Sequence, residues 1–145
     1  MSTRSYICKE DGGKLIGIYC HFDGYIEHNG VILYQHYKTR GIVDKLIALG
    51  DLRSLGTTLN SCDPFSNYEE DAGELAAREV TLDELLDDIF IEYVYVFGKD
   101  GEWRVYDDKP GSKYNKYNGE LLSQIITDTY TKIPDWSDDG SKRVQ

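Results

Sequence analysis

The stretch Arg4-Ser-Tyr-Ile-Cys-Lys9, then Glu10-Asp11-Gly12-Gly13, then Lys14-Leu-Ile-Gly-Ile-Tyr-Cys20 decides how this chain is read. Two short apolar and aromatic runs flank an Asp-Gly step, and glycine supplies the positive φ that a tight turn between strands demands. The spacing predicts a β-hairpin. The pattern returns in Glu92-Tyr-Val-Tyr-Val-Phe97 and Glu102-Trp-Arg-Val-Tyr106 around Gly98-Lys99-Asp100-Gly101, where Trp103 and Val105 alternate with Arg104. Two hairpins predict about four strands in one antiparallel sheet, and alternation lets such a sheet bury one face, so helices are expected mainly on one side.

Between and after the hairpins lie the candidate helices. Val31, Ile32, Leu33, Tyr34 and Tyr37 follow Asn29-Gly30 and can cover a helical face. Thr39 is placed to cap a helix carrying Ile42, Val43, Leu46, Ile47 and Leu49, with Gly50 where a left-handed residue ends it. Thr81-Leu-Asp-Glu84 matches a capping box, and Leu82, Leu85, Leu86 and Ile89 are expected to supply the buried side of that helix. Leu121, Leu122, Ile125, Ile126 and Tyr130 form a last stripe between Asn118-Gly119 and Pro134. The expected architecture is α+β in the order ββαα(loop)αββα: one domain over residues 1–134, with an acidic segment 63–92 inside it and a polar tail at 135–145.

Charge is the strongest compositional signal. Sixteen Lys and Arg against 26 Asp and Glu leave a formal net charge of −10 in 145 residues. That balance disfavours direct binding to nucleic acid or to an anionic membrane. No apolar run approaches the ~20 residues of a membrane-spanning helix, and the start Met1-Ser-Thr-Arg-Ser-Tyr6 has no signal-peptide core, so a cytoplasmic protein is expected. Cys8, Cys20 and Cys62 are an odd, irregularly spaced set that implies packing rather than a disulfide framework. Residues 63–92 hold eleven acidic groups and one basic residue, Arg78. Like charges repel along such a block, which predicts a solvated loop and one charged helix face. Spaced carboxylates also imitate a phosphate array, so Glu69, Glu70, Asp71, Glu74, Asp83, Asp87 and Asp88 are the candidate partner-binding residues, toward a basic groove on another protein.

Cys20-His-Phe-Asp-Gly-Tyr-Ile-Glu-His28 is the densest run of metal-capable and acid-base side chains. Its spacing fits no zinc finger or helical two-histidine site, and Asp23-Gly24 reads as a turn with glycine in the left-handed position. No metal, cofactor or catalytic set is expected. Arg4, His21, Asp23, Tyr25, His28 and Arg40 are candidate small-ligand contacts. Glycine-rich phosphate loops and a serine nucleophile elbow do not occur, and the adjacent pairs Asp87-Asp88 and Asp107-Asp108 cannot both face one site.

The segments Met1-Ser-Thr-Arg-Ser5, Gly17-Ile-Tyr-Cys-His-Phe-Asp-Gly-Tyr25, Glu27-His-Asn-Gly30 with Ile32-Leu33 and His36-Tyr37, Leu46-Ile-Ala-Leu-Gly-Asp-Leu-Arg-Ser-Leu-Gly56, and the 92–97 and 102–106 pair together resemble a family of small phage and prophage proteins. Relatives in that family often carry Trp where Phe22 stands, and their middle segment varies, which places the acidic stretch 63–92 outside the resemblance. The resemblance implies a bacteriophage setting and no particular reaction. From this setting the chain is expected to be a non-enzymatic inhibitor of a host defence or nucleic-acid-processing protein, acting through acidic, tyrosine-rich surface. A second class is a protein that sequesters a small nucleotide signal through Arg4, His21, Tyr25 and Arg40, with a homo-oligomer building the pocket. A third is a metal-dependent hydrolase using His21, Asp23 and His28.

Overall fold

The computed structural model describes residues 2–68, 72–107 and 117–137. In chain order its elements are β1 (Ser5–Asp11), β2 (Lys14–Cys20), α1 (Val31–His36), α2 (Arg40–Ala48), β3 (Leu52–Ser54), β4 (Asp63–Pro64), α3 (Ala72–Leu75), β5 (Arg78–Val80), α4 (Leu82–Asp87), β6 (Tyr93–Phe97), β7 (Trp103–Tyr106), β8 (Asn118–Leu121) and α5 (Leu122–Thr129). The α+β class stands, but the expected sheet does not. Eight strands form one mixed sheet in the order β4-β3-β2-β1-β6-β7-β8, with β5 pairing β2 off that path.

The turn chemistry shows why β1 and β2 pair: Ser5 stands opposite Cys20 and Asp11 opposite Lys14, and Gly12 and Gly13 take φ of 59° and 80° between them. Strands β6 and β7 pair antiparallel in the same way. The two pairs then meet through a parallel contact, with Tyr6 opposite Val94 and Cys8 opposite Val96. Strands β3, β4, β5 and β8 extend the sheet with two to four residues each, inside what reads as loop or helix. Asp63-Pro64, Arg78-Glu-Val80 and Asn118-Gly-Glu-Leu121 have no alternation to betray them, because their pairing is imposed by neighbours already in place. Leu121 therefore pairs with Arg104, and α5 starts one residue later.

The helices are short, and their caps match their sequences. Thr39 accepts from the Ile42 amide at the start of α2, and Gly50 beyond its end has φ 77° with a Cβ position only 2.5 Å from the Leu75 carbonyl oxygen. In α4 the Thr81 hydroxyl takes the Glu84 amide at 3.2 Å while the Glu84 carboxylate takes the Thr81 amide at 2.9 Å.

Strand alternation divides the core in two. On one face Ile7, Ile18, Cys20, Tyr95, Phe97, Trp103 and Val105 pack under residues of α1, α2 and α5. Tyr95 is fully buried and donates to the Gly24 carbonyl at 2.6 Å, and the Trp103 indole donates to the Tyr37 carbonyl at 2.8 Å, so even the polar atoms there are satisfied. On the other face Cys8, Val80, Val94 and Val96 meet only Leu85 of α4 and Ile91, with Tyr6, Leu15, Tyr19, Leu82, Leu86 and Tyr106 at the edges. All three cysteines are buried and unpaired, and burial pushes their thiols above the usual value. No helix of the described residues is long and apolar enough to cross a membrane.

Candidate functional site

Helix α4 covers its face incompletely and carries its charge outward. Leu85 is buried, Leu82 and Leu86 are half-buried, and Asp83, Glu84 and Asp87 are exposed. Shallow clefts of about 640 Å³ and 440 Å³ adjoin the helix and share Leu82 as lining. The first is walled by Asp83, Glu84 and Asp87, the second by Lys99, Arg104 and Tyr106.

The end of α4 overturns one expectation. Ile89 was read onto the buried stripe, but the helix stops at Asp87, and Asp88 turns extended with φ −79° and ψ 114°. The helical repeat is broken before it reaches Ile89, which is left 81 % exposed, and Phe90 is 59 % exposed. This turn is built rather than frayed. The Asp88 carboxylate accepts from the Phe90 amide at 2.9 Å, the Asp88 carbonyl accepts from Ile91, and Ile91 itself is 3 % exposed. Two large apolar side chains are thus exposed beside a carboxylate row, with the Phe90 ring against the Arg4 guanidinium.

The described parts of the acidic segment before α4 are tied to the sheet at several points. Asp63 lies in β4, 3.8 Å from Arg53, and accepts from the Tyr68 hydroxyl at 3.0 Å. Glu79 in β5 faces Lys14 at 3.4 Å. Arg78, the single cation of the segment, donates to Asp51 at 2.8 Å and to the Tyr6 hydroxyl at 2.6 Å. Asp51 also accepts from the Tyr19 amide at 2.9 Å, so one carboxylate fastens β5 and β2 together. Sequence reasoning missed this pair, although a lone arginine among eleven carboxylates was a usable signal. Glu74 is exposed on α3, while Glu69, Glu70 and Asp71 lie outside the described residues.

The candidate ligand contacts do not assemble as expected. Arg40 donates to the Glu10 carbonyl at 2.7 Å, at the opposite end of β1 from Arg4, and cannot share a site with it. His28 is 1 % exposed, bonded through Nδ1 to the Asn29 side chain at 3.0 Å, with its ring 4.7 Å from Trp136. Trp136 donates to the Glu27 carbonyl at 3.0 Å, so the tail starts packed; residues 138–145 lie outside the described residues. The Asp23-Gly24 turn forms, but Asp23 itself takes the positive φ, 58°. Gly24 is required for space, since a Cβ there would stand 2.7 Å from the Thr3 carbonyl oxygen. The Tyr25 hydroxyl donates to Asp23 at 3.3 Å. The Tyr25 ring also lies 6.2 Å from His28, and among the described residues no group of three His, Cys, Asp or Glu could hold a metal ion.

What does come together is Arg4, Tyr19 and His21, at the end of the half-covered face. The His21 ring meets the Tyr19 hydroxyl at 2.7 Å and the Ser2 hydroxyl at 3.2 Å, and lies 4.5 Å from Phe22 and 6.2 Å from Phe65. Desolvation first, then the Arg4 and Arg53 charges, hold its pKa below 6.5. Arg53 sits 4.7 Å over the Tyr68 ring and Arg4 sits 5.4 Å over Phe90. No family model matches this sequence, and no significant match to it was found among the curated proteins or the solved structures.

Proposed function

We propose that this chain is a non-enzymatic phage accessory protein that binds and inhibits a host defence or nucleic-acid-processing protein in the bacterial cytoplasm. The observation that supports it best is the conjunction at α4 of an outward carboxylate row and an ordered, exposed apolar turn. Asp83, Glu84 and Asp87 project from about 6 Å of helix axis, close to one charge per ~2 Å, against about 1.7 Å for duplex DNA, and Asp88 follows just beyond the helix end. A protein groove that accepts a phosphate backbone would meet a comparable field here. The carboxylates steer the encounter, while Ile89 and Phe90 supply the dehydrated contact that holds it. Steering without an apolar anchor gives weak, salt-erased contacts; an anchor without charge gives no choice of partner.

The test is competition. Tagged protein is used to capture its partner from a bacterial lysate at low salt, and a duplex oligonucleotide is titrated against the complex. The reading expects a stoichiometric nucleic-acid-binding partner that duplex DNA displaces and that raised salt weakens. A complex indifferent to both would overturn it.

A further inference from the structure

Arg4 is the arginine that the rest of the chain leaves unanswered. Arg40 donates to a backbone carbonyl, and Arg53, Arg78 and Arg104 each reach a carboxylate, Asp63, Asp51 and Asp100 respectively. Among the described residues Arg4 has neither a hydrogen-bond nor an ion-pair partner, in a chain with 26 acidic groups to 16 Lys and Arg. Its Nε is buried without an acceptor; the other such side-chain atom is His36 Nε2. The two differ in consequence. A neutral imidazole carries one N–H and can leave its second nitrogen idle, whereas a guanidinium keeps its charge and its five N–H donors.

The unanswered charge is also rigidly placed. The Arg4 carbonyl accepts from the Glu92 amide at 2.9 Å and the Thr3 carbonyl accepts from the Gly24 amide at 2.8 Å, which fixes the strand on both sides. Strand alternation puts Arg4 on the same face as Tyr6, whose ring lies 6.2 Å from Tyr19. Phe90 covers one side of the guanidinium. Arg4 and Arg53 both act on His21, with Asp63 beside Arg53 at 3.8 Å and Asp51 and Asp88 acting on Tyr19.

We propose that Arg4, with the Tyr19–His21 pair beside it, binds the phosphate of a small phosphomonoester. A guanidinium fork matches two phosphate oxygens at once, and when His21 Nδ1–H donates to the Tyr19 oxygen, the Tyr19 hydroxyl is left to donate to the same anion. The exposed ring of Phe90, 59 % accessible, borders Arg4 and suits a base stacked beside the phosphate. The site shares Phe90 with the turn assigned to partner binding, and a direct titration without any partner present reads it apart from that assignment.

Calorimetric titration of the whole protein with inorganic phosphate, AMP and adenosine tests it. Saturable binding of AMP and of phosphate, with none of adenosine, is expected; tighter AMP binding assigns a nucleotide and equal binding assigns phosphate alone. Arg4→Gln should weaken binding at least tenfold and Arg4→Lys less. In the unaltered protein, His21 followed by NMR should titrate at higher pH in phosphate than in chloride of equal ionic strength, because the bound anion favours the imidazolium against Arg4 and Arg53. The groups facing His21 that enter this balance are Arg4, Arg53 and the Tyr19 hydroxyl. Absence of saturable binding, binding untouched by Arg4→Gln, or an unmoved His21 titration would overturn the proposal.

Discussion

The two faces of the sheet use the same strands for different ends. Under α1, α2 and α5 the side chains are apolar, interlocked and satisfied, from Ile7 and Ile18 to Tyr95, Phe97 and Trp103. Across the sheet a single two-turn helix covers Cys8, Val94 and Val96, leaving arginines, tyrosines and a carboxylate row at the margin. The lesson is a division of labour. Burial is concentrated where three helices close over the sheet, and side chains stay accessible where one helix covers it incompletely.

That contrast can be broken by mutation, starting with the largest effect. Phe97→Ala, at 1 % exposure, should cost about 3–5 kcal/mol in urea unfolding through lost contacts and the cavity left behind. Ile89→Ala, at 81 % exposure, should stay within about 0.5 kcal/mol of the unaltered protein. Equal costs at the two positions would dissolve the distinction. Asp51→Ala should lose about 2–3 kcal/mol, since it strands the Arg78 guanidinium and the Tyr19 amide together. Asp51→Asn should recover part of this by keeping an acceptor for the amide. Thr81→Ala removes the cap of α4 and should cost about 1 kcal/mol, measured as an earlier unfolding midpoint.

The smallest effect is a pH dependence at His21. Its native pKa lies below the ordinary 6.5, so the neutral imidazole is the form the native state favours. Stability from this source is complete above 6.5 and falls away as pH drops from there toward the lowered native value, because the unfolded chain then binds the extra proton. Arg4→Gln should raise the His21 titration midpoint observed by NMR; an unchanged midpoint would mean that the two side chains do not sense each other.

Much of the half-covered face was hidden from sequence reasoning for one physical cause. The 5–20 and 93–106 hairpins announce themselves through local turns and alternation, and the Thr39 and Thr81 caps are equally local. The parallel β1–β6 contact joins residues nearly ninety positions apart and has no local signature. The same holds for β5, a charged Arg-Glu-Val run that pairs with β2 because Arg78 finds Asp51. At the site, the acidity of Asp83, Asp87 and Asp88 was legible from composition. The exposure of Ile89 was not, since helical periodicity alone continued the apolar stripe past the point where Asp88 ends the helix. Arg4 and His21 were legible as residue types, and their union with Tyr19 follows from strand register, whereas His28 was drawn in by the 20–28 run and Arg40 by residue type alone, and the fold places Arg40 at the far end of β1.

The central claim is that the carboxylate row of α4 recognises a partner while contributing little to the fold. The most direct measurement compares the unaltered protein with Asp83→Lys/Asp87→Lys, which leaves the Asp88 turn intact, recording the urea midpoint of each and the amount of partner captured from a bacterial lysate at low salt. The account expects closely similar midpoints with capture abolished in the variant. Equal capture by both proteins at matched stability would contradict it.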